Sequence, residues 1–170
     1  MDNFKNISPK NLENAMKLIG SDWMLITVCD KENGRANAMT ASWGAMGVLW
    51  NKNVCICFVR PQRHTHMLLE NESEFSIAFL GEEYREALRF CGKESGREVD
   101  KLNKCGLTTC ELDGVPVINE AKLVLICKKL YEDELKKDAF LDQALLSNYA
   151  NGDYHTFYVC EIKQAYEKEE

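Results

Sequence analysis

Short apolar runs separated by polar turns dominate this chain, and most have the length and residue types of strands. Asp22–Asp30 and Leu123–Tyr131 are dense in β-branched and apolar residues, as is the segment from Tyr154 to Ile162, so each reads as a strand. Lys31-Glu-Asn-Gly34 puts Asn-Gly at a hairpin tip, after which Arg35 to Met39 returns toward Thr40. Val54–Val59 is apolar on both faces and ends before Pro61, which predicts a central strand covered on both sides. A further strand is expected over Glu74 to Leu80.

Helical spacing is rarer. Ser8 can cap a helix whose first turn holds Pro9, with Leu12, Ala15, Met16 and Ile19 on one face and Gly20 as the stop. Thr65 to Glu70 predicts a short helix, and Tyr84, Ala87, Leu88 and Cys91 share a helical face that Gly92 closes. Gly92 to Thr109 reads as a polar loop, Ala139 to Leu146 as a mixed segment compatible with helix, and Glu167–Glu170 as a frayed charged end. Many strands at short intervals with few helices predict a mainly β, antiparallel barrel with helical decoration. The absence of a Gly-rich phosphate turn between strand and helix argues against a doubly wound sheet. No repeat or linker divides the chain, so residues 1–170 are expected to form one domain.

Charge narrows the choice of partner. The chain carries 21 Lys plus Arg against 27 Asp plus Glu, a formal net charge of -6, which favours neither nucleic acid nor an anionic membrane. A bound anion therefore requires a local cationic pocket. The first residues are polar and no apolar run approaches the roughly 20 residues that span a bilayer, so a cytoplasmic location is expected. Of the 8 cysteines, Cys29, Cys55, Cys57, Cys127 and Cys160 lie in apolar runs and read as reduced core thiols. Cys91 and Cys105 lie near Lys93, Arg97 and Lys104 and come closest to the electropositive setting that makes a thiol reactive.

Polar chemistry concentrates in two segments, Asn37-Ala-Met-Thr-Ala-Ser-Trp-Gly44 and Val59-Arg-Pro-Gln-Arg-His-Thr65. Arg60 and Arg63 can grip phosphate oxygens, with Thr65 adding a donor at a helix start; the alternative is two solvated loop arginines. Thr40, Ser42 and Trp43 suit a phosphate or a flat ring, and equally a local turn beside a core tryptophan. One strand between the segments can return the chain to the same end, and phosphate plus ring points to a flavin nucleotide. His155 is a candidate donor or proton source near such a ring, or a structural histidine held by backbone. No metal site is expected: His64 and His66 do not share a helix face, and Cys55 with Cys57 lacks further ligands. Gly92–Gly96 fails as a phosphate loop because Ala87 and Glu94 stand where glycine and Ser or Thr are needed, although Lys93, Ser95 or Arg97 can still touch a ligand.

These residues resemble the flavin reductase-like family with an FMN-binding split β-barrel. The likeness rests on Asn37, Met39, Thr40, Ser42, Trp43 and Gly44, on Val59, Arg60, Pro61, Arg63 and Thr65, on Ser95-Gly-Arg97 before Val99-Asp-Lys101, and on Gly152-Asp-Tyr-His155. It implies a Greek-key antiparallel split barrel and a homodimer with FMN near the subunit interface. It also implies that Asn37, Met39, Thr40, Ser42 and Trp43 lie along the cofactor while Arg60, Arg63 and Thr65 hold its phosphate and ribityl chain. The activity it implies is transfer from NADH or NADPH through FMN to a flavin or other acceptor; the alternative is an FMN electron carrier reduced by a partner protein, and a barrel that has lost its cofactor is the third. Flavin carries its own redox chemistry, so the protein needs to supply only grip, orientation and local electrostatics.

Overall fold

The computed structural model describes residues 4–12 and 14–169. Ten strands form two sheets. The larger has the order β3 (Arg35–Ala41), β2 (Met24–Asp30), β6 (Glu74–Phe79), β9 (Leu123–Glu134), β10 (Thr156–Lys168), β5 (Lys52–Val59), β4 (Gly44–Leu49), with β1 (Phe4–Ile7) also pairing β10. Every pairing is antiparallel, and β5 to β6 is a crossover. β7 (Thr109–Leu112) and β8 (Val115–Ile118) form a separate hairpin.

Strict alternation along the strands builds two cores. Met24, Ile26 and Val28 of β2, Phe75, Ile77 and Phe79 of β6, and Leu123, Leu125 and Cys127 of β9 fill the barrel interior. Their neighbours Leu25, Ala78, Val124 and Ile126 point outward into a second cluster with Leu88, Cys91 and the β7–β8 hairpin. The middle strands are apolar on both faces because each face meets a different core. β10 is long because it serves three neighbours: Thr156–Glu161 pairs with β5, Ala165–Lys168 with β1, and Thr156–Glu167 with β9. Register shifts at Val159/Cys160 and Ile162/Gln164 bend it between those tasks.

Several local expectations need correction. The first helix is broken: a 3-10 turn at Pro9–Asn11 capped by Ser8, left-handed backbone at Asn14 (φ 50°), then α1 (Ala15–Lys17) running into a π turn over Leu18–Asp22. Gly20 does not stop it, and Met16 is exposed. β5 is not covered on both faces. Cys55, Cys57 and Val59 point inward, but Ile56 and Phe58 are only half-buried. Gly92 lies inside α3 (Arg85–Lys93) and does not close it, and the polar stretch after it contains α4 (Lys101–Lys104), capped by Asp100. Gln143–Tyr149 is 3-10 rather than α-helical. The tail is paired through Lys168, because β1 and β9 supply partners that the polar sequence does not reveal; Glu170 lies outside the described residues. The helix from His64 to Asn71, here α2, and the hairpin at Lys31–Gly34 form as expected.

Candidate functional site

β3 and β5 bring the two polar segments to one end of the barrel. Met39, Thr40 and Ala41 from the end of β3, Ser42 and Trp43 beyond it, and Phe58 from β5 line a cavity of about 260 Å3. Arg60, Arg63 and His155 complete it. Thr40 is fixed by donating Oγ1–H to the Leu88 carbonyl at 2.6 Å. Trp43, 46% exposed, lies at the margin with its ring 5.2 Å from the His155 ring. Gly44 must stay small: a Cβ there would come 2.6 Å from the Ile56 carbonyl oxygen and 2.9 Å from Met24 Cε. That close approach holds the motif against β5.

A second cavity of about 190 Å3 shares Arg63 and adds Gln62, His64, Thr65, Lys93, Glu94, Ser95, Gly96 and Lys101. It sits at the start of α2, whose N-cap residue Arg63 makes no side-chain capping bond. A half-buried cation, Arg63, and a buried one, Lys101, border it. Arg63 donates to the Gly92 and Cys91 carbonyls at 2.6 and 3.0 Å, and Lys101 donates to the Cys91 carbonyl at 3.3 Å. Neither forms an ion pair among the described residues. Burial lowers the pKa of Arg63 and brings that of Lys101 down to about 8. Carbonyls at the α3 C-terminus thus hold both cations at the border of this space, whose lining also includes the Glu94 carboxylate.

The expected site residues divide by position. Met39, Thr40, Ser42 and Trp43 reach the first cavity, Thr65 the second, and Arg63 both. Asn37 reaches neither; its amide donates to Thr65 Oγ1 at 2.8 Å, and its Oδ1 blocks any Cβ at Gly96. It therefore shapes the second cavity from behind. Arg60 borders the first cavity but is committed to Asp153 by an ion pair and to the Asn148 carbonyl at 3.0 Å.

His155 is 7% exposed, and its Nδ1 lies 2.9 Å from the Tyr149 hydroxyl, within hydrogen-bond distance. Burial, reinforced by the Arg60 cation, lowers its pKa to about 4, so the ring is neutral at pH 7. Phe58, Tyr149 and Lys101 had no decisive signal in the chain: two look like core aromatics, and Lys101 looks like a solvated lysine in a polar loop. Only the cap at Asp100 hints that Lys101 begins a helical turn.

Cys91 and Cys105 do not sit in a setting that activates a thiol. Burial pushes the Cys91 thiol up to about 12 and raises Cys105 as well, contrary to the reactive setting expected from nearby cations. Cys55 and Cys127 meet at 3.5 Å between sulfurs inside the barrel. Among the described residues no group of three or more His, Cys, Asp or Glu is arranged to hold a metal ion, and no helix is long and apolar enough to cross a membrane.

The fold has solved counterparts. A flavoredoxin from Methanosarcina acetivorans is 24% identical with a TM-score of 0.67, over 87% of this chain and 69% of that one. An FMN-binding domain of a flavin reductases-like enzyme from Shewanella baltica is 17% identical with a TM-score of 0.70, over 98% and 78%. The styrene monooxygenase flavin reductase of Pseudomonas putida is 15% identical with a TM-score of 0.63, over 89% and 81%. Among curated proteins none matches significantly. The described strands and helices form a flavin reductase-like split barrel. The flavin reductase like domain matches residues 16–170, nearly the whole chain, which therefore belongs to that family.

Proposed function

We propose that this chain is an FMN-dependent oxidoreductase that passes electrons from NADH or NADPH through FMN to a flavin or other acceptor. The observation that carries it is the pair of cavities joined at Arg63: one walled by Trp43, Phe58 and Met39, the other bordered by Arg63, Lys101 and the α2 N-terminus. A flat ring suits the first and a phosphate the second. Bound there, the flavin supplies the redox chemistry, and the protein's side chains do the holding. Arg63 and Lys101 neutralise phosphate charge, Thr65 and Ser95 add hydroxyl donors, and Trp43 with Phe58 keeps water from the ring. Arg60 closes the loop that carries His155, and His155 presents a neutral imidazole to the cavity.

Apolar surface on β4 supports the expected homodimer. This strand lies at the sheet edge, with Val48 and Trp50 at its tip exposed, and the outer face of neighbouring β5 is only half-covered. The likeness to a flavoredoxin supports the alternative, an FMN electron carrier reduced by a partner protein.

An anaerobic absorbance spectrum of the FMN-loaded protein, before and after NADH and then NADPH, tests these readings. Retained flavin that bleaches is the expected result and names the donor. Retained flavin that stays oxidised with both favours the carrier, and failure to bind FMN sinks both.

A further inference from the structure

We propose that Tyr149 is a positioning residue that holds His155 as an Nε2–H donor facing the ring cavity, where it meets a carbonyl oxygen of the bound ring. This rests on the FMN reading for the identity of the ring, but the tautomer does not. The Tyr149 hydroxyl has His155 Nδ1 as its sole partner among the described residues, at 2.9 Å, and the phenol is buried. A phenol in that position donates its proton; the reverse polarity would leave the O–H without an acceptor. The neutral imidazole must then carry its own proton on Nε2.

The direction of that proton follows from burial. Buried side-chain nitrogen and oxygen atoms without a partner are confined to Thr27 Oγ1 and His64 Nδ1 among the described residues. His155 Nε2 has no protein partner either, so it is open to the cavity that the ring lines. The groups around it keep the imidazole neutral and in place. The Arg60 guanidinium lies 5.2 Å from the centre of the Tyr149 ring and is ion-paired with Asp153. Tyr149 stacks on Tyr154 at 4.9 Å, and Phe58 meets His155 edge-on at 6.3 Å. Arg60 opposes protonation of His155 and Asp153 favours it, with burial prevailing. The cavity wall thus offers an uncharged donor, which selects a ligand with a hydrogen-bond acceptor on its edge and disfavours one with a donor there.

The test is nitrogen NMR of 15N-histidine-labelled protein, free of FMN and near pH 7.5, for the natural chain and Tyr149→Phe. The expected result is a proton on Nε2 of His155 in the natural chain and a mixture of tautomers in Tyr149→Phe. A proton on Nδ1 in the natural chain, or identical spectra for the two, overturns the proposal. FMN titrations of Tyr149→Phe, His155→Phe and the double variant provide the second readout. Tyr149→Phe should weaken FMN at least threefold, and that effect should vanish in the His155→Phe background, because Tyr149 acts through His155. An equal loss in both backgrounds overturns the positioning role. If the natural chain binds no FMN, the cofactor reading and the ring carbonyl fail together, while the spectra still decide the tautomer.

Discussion

Arginines 60 and 63 stand three positions apart and carry the same charge, yet they do different things. Arg60 is neutralised by Asp153, whereas Arg63 spends its hydrogen bonds on neutral carbonyls and has no ion-pair partner among the described residues. Arg63→Ala should therefore weaken FMN binding by about 1.5–3 kcal/mol, the usual worth of a hydrogen bond to a charged group; calorimetric titration with an unchanged affinity would remove Arg63 from the site. On the proposed reading, Lys101 gives phosphate binding a pH dependence. With its pKa at about 8, it is charged below that pH and loses its charge above it, so FMN affinity should fall as pH rises from 7 to 9. Lys101→Arg stays charged throughout and should flatten the profile. His155 acts on stability with its own sign. Its folded pKa of about 4 lies below the 6.5 of a free imidazole, so between those limits the unfolded chain takes up a proton that the folded one refuses. Stability should fall as pH drops from 6.5 to 4, by as much as about 3 kcal/mol from this group. Urea unfolding at both ends of that window should show a smaller loss in His155→Gln.

Elements escaped notice where turn chemistry was unusual. β4 and β5 are joined by Trp50 and Asn51, both left-handed (φ 52° and 58°), in a two-residue turn. Such a turn is ordinarily announced by Asn-Gly, as at Lys31–Gly34, and a tryptophan gives no such notice. β7 and β8 are four residues each, too short for alternation to register, and β1 is polar because two of its four residues face solvent. The breaks in the first helix come from left-handed Asn14, which periodicity does not detect. The motif at Thr40–Gly44 depends on a contact between elements. Gly44→Ala would press a methyl into the Ile56 carbonyl, which belongs to paired backbone and cannot move aside. It should cost about 1–3 kcal/mol in chemical denaturation, and an unchanged midpoint would show that β4 can shift from β5.

Assembly of the strands decides what is inside. The barrel interior and the outer cluster share β2, β6 and β9, so those strands are buried on both sides. β5 looks the same in sequence but leaves Ile56 and Phe58 only half-buried. A second copy covering that face and the β4 edge is the expected occupant. Sedimentation should give a dimer, and Trp50→Glu should shift it toward monomer without loss of fold; a monomeric natural chain would contradict this reading. Ring contacts continue along this face from Phe58 to Phe157 to Tyr131 at 6.1 and 6.0 Å.

The identity of β2, β3, β5, β6, β9 and β10, the first hairpin, α2 and the clustering of Thr, Ser, Trp and Arg were legible because each depends on neighbours in the chain: alternation, turn residues, a proline after a strand. Those signals sufficed for a β-barrel and for a candidate ring and phosphate site. The chain alone could not say which arginine is ion-paired and which is not, because that depends on Asp153 and the α3 carbonyls, between 28 and 93 positions away. Nor could it turn Lys101 and His155 into shifted groups, since burial is a property of the packed molecule. Residue types and local order are written in the sequence, while desolvation and pairing across the fold arise only when distant segments meet.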